Sequence, residues 1–190
     1  MKNKKEKCNR REFLTRAVSG VASAGILSVS GSRLFASGDE KSGNPSEKKI
    51  IYRKLGKTEI EMPVVNMGVM NSGNPVLVKK AYETGIRHFD TAAWYMHGRN
   101  EEMVGKVINE LNAREKVIIG TKVFVSHERR KMKPEEAKKE YLKIANESLE
   151  RLQTGYIDIL YSHNVSDLEW LNNPGIIEAL TLLKQQKKVR

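Results

Sequence analysis

The strongest constraint on the fold is a regular alternation of short apolar runs and amphipathic helical stretches. The apolar runs at 63–67, 87–90, 117–121 and 157–162 are typical of buried strands. Each of them is followed by a stretch with apolar residues at helical spacing. Successive strand–helix units predict a parallel sheet that is covered by helices and joined by right-handed crossovers.

A hairpin and four helices complete the predicted elements. The alternating segments 50–55 and 59–62 around Gly56 predict the hairpin. The four helical stretches are 74–84, 100–111, 134–152 and 174–188. In the first helix we expect Val76, Leu77 and Ala81 to share the buried face.

The sheet could close in two ways, as an open doubly wound sheet or as an eight-stranded barrel. The loop at 68–73 lacks the G-x-G-x-x-G spacing that usually follows the first strand of the open form. The barrel is therefore favoured, although four units make only half of one. Residues 188–190 resemble the start of another strand. We interpret the chain as the N-terminal half of a TIM (β/α)8 barrel, truncated at the start of strand five.

Four chemically versatile residues stand at or just beyond the ends of these strands: Asp90, Tyr95, Lys122 and His163. In a barrel of parallel strands, the C-terminal strand ends converge on one mouth, where active sites lie. A carboxylate, a phenol, an ammonium and an imidazole together predict a proton-transfer site. Taken singly, each residue also has an ordinary structural explanation as a turn cap, a rim residue, a solvated lysine or a structural histidine.

The segments that carry these residues resemble the aldo-keto reductase family. H-F-D-T-A at 88–92 is followed by Tyr95 at the usual spacing, and N-E-E-M-V-G at 100–105 comes next. G-T-K-V at 120–123 and D-I-L-Y-S-H at 158–163 are similar to the segments with the family's lysine and histidine. The resemblance covers roughly residues 50–190, and the four segments together are specific.

The resemblance implies both activity and site. Tyr95 would be the general acid that protonates an aldehyde or ketone, with Lys122 and Asp90 tuning it and His163 orienting the carbonyl. NADPH or NADH would supply the hydride. Gly68, Val69 and Met70, together with Asp90, would lie near the nicotinamide. Most other cofactor contacts are expected from strands five to eight.

The N-terminal segment has the anatomy of an export signal. Residues 1–36 hold 8 Lys or Arg and 2 Asp or Glu, a net of +6 out of the chain's +11. A basic start, a weakly apolar stretch and small residues follow in order. Arg10 and Arg11 resemble the twin-arginine consensus. We therefore expect an exported, extracytoplasmic protein that engages the twin-arginine machinery, without a stable membrane anchor.

The remaining composition sets the domain limits and excludes some partners. Residues 37–48 are interpreted as a flexible linker and 49–190 as the partial barrel. Because the body is only mildly basic, nucleic-acid binding is not expected. Cys8 is the single cysteine, so the barrel region can form no internal disulfide. His127 and the run at 129–131 are interpreted as a solvated, charged connection.

Two other functions remain open from the sequence. An exported sugar-isomerase-type barrel would need metal-binding carboxylates and histidines at the strand ends, where His163 is the only such candidate. No metal site is therefore predicted. A relative that keeps the fold as a binding or regulatory subunit, or as a non-catalytic fragment, is the second alternative.

Overall fold

The computed structural model describes residues 50–190. A two-stranded antiparallel sheet comes first, followed by four parallel strands in chain order. The strands are β1 (Tyr52–Lys54), β2 (Glu61–Pro63), β3 (Met67–Gly68), β4 (His88–Asp90), β5 (Ile118–Val123) and β6 (Ile159–Ser162). The helices are α1 (Pro75–Glu83), α2 (Arg99–Glu110), α3 (Pro134–Arg151), α4 (Leu168–Leu171) and α5 (Pro174–Gln185). This arrangement confirms the predicted TIM-barrel-like α/β fold with a parallel sheet.

The sheet continues beyond β6. Ile157 pairs in parallel with Val189. Its N–H donates to the Lys188 carbonyl at 2.9 Å, and the Arg190 N–H donates to the Ile157 carbonyl at 3.0 Å. Residues 188–190 therefore follow the path predicted for a fifth strand.

The helix-facing side of the sheet forms the hydrophobic core. Alternate residues of the strands, such as Phe89 of β4 and Ile119 of β5, are fully buried against α2 and the end of α3. A second cluster joins β5 to α3 and α5. Its largest buried members are Tyr141, Trp170, Ile176 and Leu183. Because successive side chains of a strand point to opposite faces, the other face of these strands, with its polar residues, points away from the helices.

The predicted buried face of the first helix is wrong at two positions. Val76 and Leu77 are 66% and 52% exposed, whereas Val78 is completely buried and Ala81 packs against the core. Three adjacent apolar residues span roughly 200° of a helix, so they cannot all face the sheet. Asn74 caps this helix by accepting a hydrogen bond from the Val76 N–H, which fixes where the first turn begins.

The N-terminal predictions lie outside the described residues. The signal at 1–36, the linker at 37–48 and the boundary near residue 49 therefore stay predictions. Within 50–190, none of the helices is long and apolar enough to cross a membrane.

Helix α2 touches the end of α3 backbone to backbone at Gly105. A Cβ at this position would stand 2.4 Å from the Leu152 carbonyl oxygen. Real Cβ atoms do not approach backbone so closely, so only glycine allows this packing. The glycine of the N-E-E-M-V-G segment is thus explained by helix packing rather than by chemistry.

A buried histidine lies on the opposite face of the sheet from the helices. His88 is 3% exposed, and its Nε2 lies 3.3 Å from where a Cβ of Gly120 would stand. Neither of its ring nitrogens has a hydrogen-bond partner among residues 50–190. Burial is the main cause that lowers the pKa of His88, opposed by the nearby carboxylates Asp90 and Asp158.

Replacing Gly105 with Ala will destabilise the protein. In an exposed helix the same change stabilises by about 1 kcal/mol, but here the overlap with Leu152 should outweigh that gain and cost about 1–3 kcal/mol overall. Urea unfolding measures the difference. Gly155 is the matched control, because a Cβ there meets nothing within 4 Å. Equal stability of the Gly105→Ala and Gly155→Ala proteins would contradict the close approach.

The stability of the protein will fall as the pH drops from about 7 to about 5, partly through His88. Because its folded pKa lies below the unfolded value, the unfolded chain binds the extra proton more readily in that range. Urea unfolding at several pH values measures the slope. His88→Leu should flatten the slope, whereas the same change at the exposed His127 should not. A His88→Leu protein with an unchanged slope would show that another group titrates.

Candidate active site

The four residues predicted to form the site lie together at the C-terminal end of the parallel strands. Asp90 is the last residue of β4, and His163 directly follows β6. Lys122 lies inside β5 rather than just beyond it, because that strand runs two residues further than predicted. Tyr95 begins a short 3-10 turn, Tyr95–Gly98, after β4.

Lys122 is the centre of this group. Its ammonium donates hydrogen bonds to Asp90 Oδ1, to the Thr91 carbonyl at 2.6 Å and to the Tyr95 hydroxyl at 3.3 Å. The side chains of Lys122 and Asp90 are only 15% and 26% exposed. Three oxygen acceptors therefore surround the Lys122 ammonium in this partly enclosed position. The arrangement holds a positive charge directly beside a phenol.

His163 stands on the other side of the phenol. Its ring makes edge contacts with Tyr95 at 5.6 Å and with Phe124 at 5.7 Å between centroids. Burial lowers the pKa of His163, and the Lys122 charge lowers it further, while Asp90 opposes the shift. Burial and the Lys122 charge thus both favour the neutral form of this imidazole. Its Nδ1 is buried without a partner in the described part of the chain, which favours the tautomer with the proton on Nε2.

The loop after β3 carries the residues expected near a nicotinamide. The Val69 side chain is fully buried in the core, its N–H donates to the Asp90 carbonyl, and its carbonyl accepts from Asn100. Val69 therefore has no polar backbone group left for a ligand. Gly68 and Met70 are exposed, and a Cβ at Gly68 would meet nothing within 4 Å.

Asn100 and Glu101 support the site, and the sequence assigned them no role. Asn100 is fully buried and donates to the carbonyls of Val69 at 2.8 Å and Ser72 at 3.0 Å. Its side-chain oxygen accepts from Thr91, whose carbonyl in turn binds Lys122. The signal that could have revealed Asn100 is its polar side chain at the start of an amphipathic helix.

Glu101 anchors the end of β5. Its carboxylate is completely buried, accepts a hydrogen bond from the Thr121 hydroxyl, and pairs with Arg151 at 2.7 Å. Thr121 is the neighbour of Lys122 in β5. A carboxylate at this depth requires such a partner, so Arg151 of α3 and Glu101 of α2 fix the strand that carries the lysine.

A cavity of about 630 Å³ opens above Tyr95 and His163. Aromatic rings and two thioethers form much of its wall, and Trp94 packs against Phe124 in a tilted arrangement with 4.7 Å between centroids. The lining residues are Met70, Trp94, Tyr95, Met96, His97, Phe124, His163 and Asn164. This size and mixed lining suit a small organic molecule with one polar group.

A larger groove of about 750 Å³ lies on the outside, between α1, α2 and the end of α3. Its polar lining alternates in sign, with Arg99 and Lys106 beside Glu102 and Glu110. None of the four predicted site residues lines it. We therefore assign the chemistry to the mouth of the sheet and not to this groove.

The charged connection after β5 is only partly solvated, contrary to the expectation from its sequence. His127 and Arg129 have side chains that are 77% and 57% exposed, but the Arg130 side chain is only 7% exposed. The sequence cannot tell which of two neighbouring arginines is buried, because the burial of Arg130 depends on a loop more than 30 residues away. Within residues 50–190, no group of three His, Cys, Asp or Glu side chains could hold a metal ion.

Known proteins are similar to this region in both sequence and fold. Residues 70–190 match the family model described as the aldo/keto reductase family. An uncharacterised oxidoreductase of Bacillus subtilis is 35% identical over 148 residues, covering 73% of this chain and 46% of the relative. L-Galactose dehydrogenase of Arabidopsis thaliana is 34% identical over 157 residues, covering 75% of this chain and 47% of the relative.

Solved structures agree with this similarity. The holo form of an aldo-keto reductase from Bacillus halodurans has a TM-score of 0.63 at 28% identity, covering 75% of this chain and 49% of that one. An aldo-keto reductase from Klebsiella pneumoniae in complex with NADPH has a TM-score of 0.53 at 27% identity, covering 68% and 44%. The chain spans about half the length of the curated relatives it matches. It belongs to the aldo/keto reductase family of oxidoreductases.

Proposed function

We propose that this chain forms the catalytic half of a carbonyl reductase, in which Tyr95 protonates an aldehyde or ketone. The observation that carries the proposal is the Lys122 ammonium, which contacts both the Asp90 carboxylate and the Tyr95 hydroxyl. The reaction adds a hydride to the carbonyl carbon, so negative charge develops on the carbonyl oxygen. A proton donor within hydrogen-bond reach of that oxygen lowers the barrier.

Lys122 places its positive charge beside the phenol of Tyr95. The ammonium stabilises the phenolate that remains once the proton has left. At about 4 Å and an effective dielectric near 20, two unit charges attract by roughly 4 kcal/mol before desolvation is subtracted. Asp90 supplies the opposite charge that this partly closed site needs beside the Lys122 ammonium.

His163 supplies a second hydrogen bond to the substrate. In the neutral ring, the proton sits on Nε2, since Nδ1 is buried without an acceptor among residues 50–190. A donor aimed at the carbonyl oxygen stabilises the charge that develops there. Tyr95 and His163 make an edge-to-face contact and line the same cavity, so a carbonyl oxygen bound there would lie near both donors.

The residues at the mouth fit a nicotinamide cofactor, NADPH or NADH, which supplies the hydride when bound. Gly68 leaves open space where a side chain would stand, Met70 is 50% exposed, and the Asp90 carboxylate is partly exposed beside them. These three residues would hold the nicotinamide end. Val69 would act only by shaping the loop, because its polar groups are already bonded.

The protein is proposed to act outside the cytoplasm. Arg10 and Arg11 precede a weakly apolar stretch, a pattern that resembles a twin-arginine signal. This pathway moves folded proteins, so a cofactor could be loaded before export. The export machinery would then be a transient partner of residues 1–36.

Replacing Tyr95 with Phe will lower kcat by about 10²–10⁴-fold, since the proton donor is lost. The measurement is NADPH-dependent reduction of an aromatic aldehyde. It is made with this chain and with a fusion of this chain to the C-terminal half of a homologous reductase, which we call the completed barrel. Lys122→Met should lower kcat in the same direction. Tyr52→Phe, at an exposed hairpin position, is the matched control. Near wild-type reduction by the Tyr95→Phe protein would remove Tyr95 from the role of acid.

Replacing both Arg10 and Arg11 with lysine will block export. The twin-arginine receptor reads the guanidinium pair and not charge alone, so the precursor should accumulate in the cytoplasm. Cell fractionation and immunoblotting of the whole chain measure this. Changing Lys4 and Lys5 to Arg is the control. It keeps the net charge and leaves Arg10 and Arg11 in place, so export should remain intact. Unimpaired export of the variant with Arg10→Lys and Arg11→Lys would count against the assignment.

A further inference from the structure

Arg130 lies in the connection after β5 and ties together two loops at the mouth. Its guanidinium donates to the Val125 carbonyl at 3.0 Å, the Asn164 carbonyl at 2.9 Å and, more weakly, the His163 carbonyl at 3.4 Å. It also pairs with Asp167 Oδ2 at 3.2 Å. A guanidinium has five donors in a rigid plane, which suits it to several fixed acceptors.

The two loops that Arg130 joins carry neighbouring parts of the pocket wall. Phe124 directly precedes Val125 on one loop, and His163 directly precedes Asn164 on the other. The Phe124 and His163 rings meet edge to face at 5.7 Å. Arg130 lines no part of the cavity itself, so any effect on a substrate must pass through the lining residues of these two loops, Phe124, His163 and Asn164.

Among residues 50–190, the His163 ring is held by its contacts with Tyr95 and Phe124 and by the position of its backbone. Its Nδ1 has no hydrogen-bond partner in the described region, so no side chain or carbonyl fixes the ring through that atom. The last sheet hydrogen bond on this strand runs from the His163 N–H to the Val123 carbonyl at 2.8 Å. Beyond it, Asn164 adopts a left-handed conformation with φ of 51°, a conformation that needs support from its surroundings.

We propose that Arg130 is a positioning residue that sets the orientation of His163 against Tyr95 by holding the carbonyls of residues 163 and 164. The expected effect on catalysis rests on the proposed function, whereas the expected effect on the placement of the His163 ring does not. Without the guanidinium, these carbonyls and that of Val125 would turn toward water. The imidazole would then lose its fixed place between the two aromatic rings.

Asp167 completes the clamp from the following helix. Its carboxylate accepts from the Trp170 N–H at 2.7 Å and so caps α4, while its other oxygen pairs with Arg130. The hydrogen bond from Trp170 is the main cause that lowers the pKa of Asp167, and the Arg130 contact adds to it. Arg130 thus joins β5, the end of β6 and α4 through one side chain.

Arg130→Ala and Arg130→Lys in the 190-residue chain test the proposal, with the neighbouring Arg129→Ala as control. Arg129 is exposed and its side chain bonds only to Glu140 within residues 50–190. NMR follows the titration of each histidine ring and the contacts of His163 with Tyr95 and Phe124, with His163 assigned through His163→Gln. No cofactor or substrate is added.

In Arg130→Ala, the pKa of His163 should rise toward the ordinary histidine value, because water reaches the ring, and its contacts with Tyr95 should weaken. The titration of His88 should stay unchanged, since it lies on a different strand. Arg130→Lys keeps the charge but cannot reach all four acceptors, so it should shift His163 partially. Guanidinium ion at a non-denaturing concentration should restore the His163 titration in Arg130→Ala. The Arg129→Ala protein should match wild type.

A wild-type His163 titration with intact ring contacts in Arg130→Ala would overturn the proposal. If that variant does not fold, an unchanged His163 in Arg130→Lys overturns it equally. In the completed barrel, Arg130→Ala should lower kcat/KM by on the order of 10²-fold. A completed barrel that reduces no carbonyl, while His163 responds as expected, would remove the proposed function and leave the positioning role standing.

Discussion

The ion pair between Lys122 and Asp90 is the interaction on which the site depends. The two residues come from neighbouring strands, and the sheet hydrogen bonds fix their separation by pairing Asp90 with Gly120, two residues before Lys122. The ammonium then reaches the Thr91 carbonyl and the Tyr95 hydroxyl from one position. Without the Asp90 carboxylate, the ammonium would stand in this partly buried place with no opposite charge beside it, which is costly.

A second set of contacts holds the ion pair in place. Asn100 and Glu101 are adjacent at the start of α2, and they reach different strands: Asn100 binds the loop after β3, and Glu101 binds Thr121 of β5. Thr91, which follows β4, also donates to Asn100, so three elements that surround Lys122 are tied to one helix turn. The position of this helix turn is fixed by Gly105, where α2 packs directly against the backbone of Leu152. Helix packing on the outside of the sheet thus controls the geometry of the mouth.

The strand order and the grouping of Asp90, Tyr95, Lys122 and His163 followed from the sequence, because hydrophobic periodicity and parallel topology leave few alternatives. The details that failed depend on contacts that hydrophobic periodicity does not reveal. Val76 and Leu77 are as apolar as Val78, and only the cap at Asn74 decides which residue faces the core. From the sequence alone, Arg130 cannot be distinguished from its neighbour Arg129. Its side chain is buried because it binds backbone acceptors near residue 164. Local patterns carry no information about such contacts.

The turn that carries Tyr95 shows how strain can serve the same site. Met96 and His97 both adopt left-handed conformations, with φ of 52° and 56°, and Gly98 continues this with φ of 87°. Such residues cost free energy and persist only where the surroundings hold them. Before the turn, the Ala93 N–H is bonded to the Lys122 carbonyl. At its end, the Arg151 side chain passes so close to Gly98 that a Cβ would stand 2.7 Å from it. Because Arg151 also pairs with Glu101, the contacts that anchor β5 also aim the phenol at Lys122.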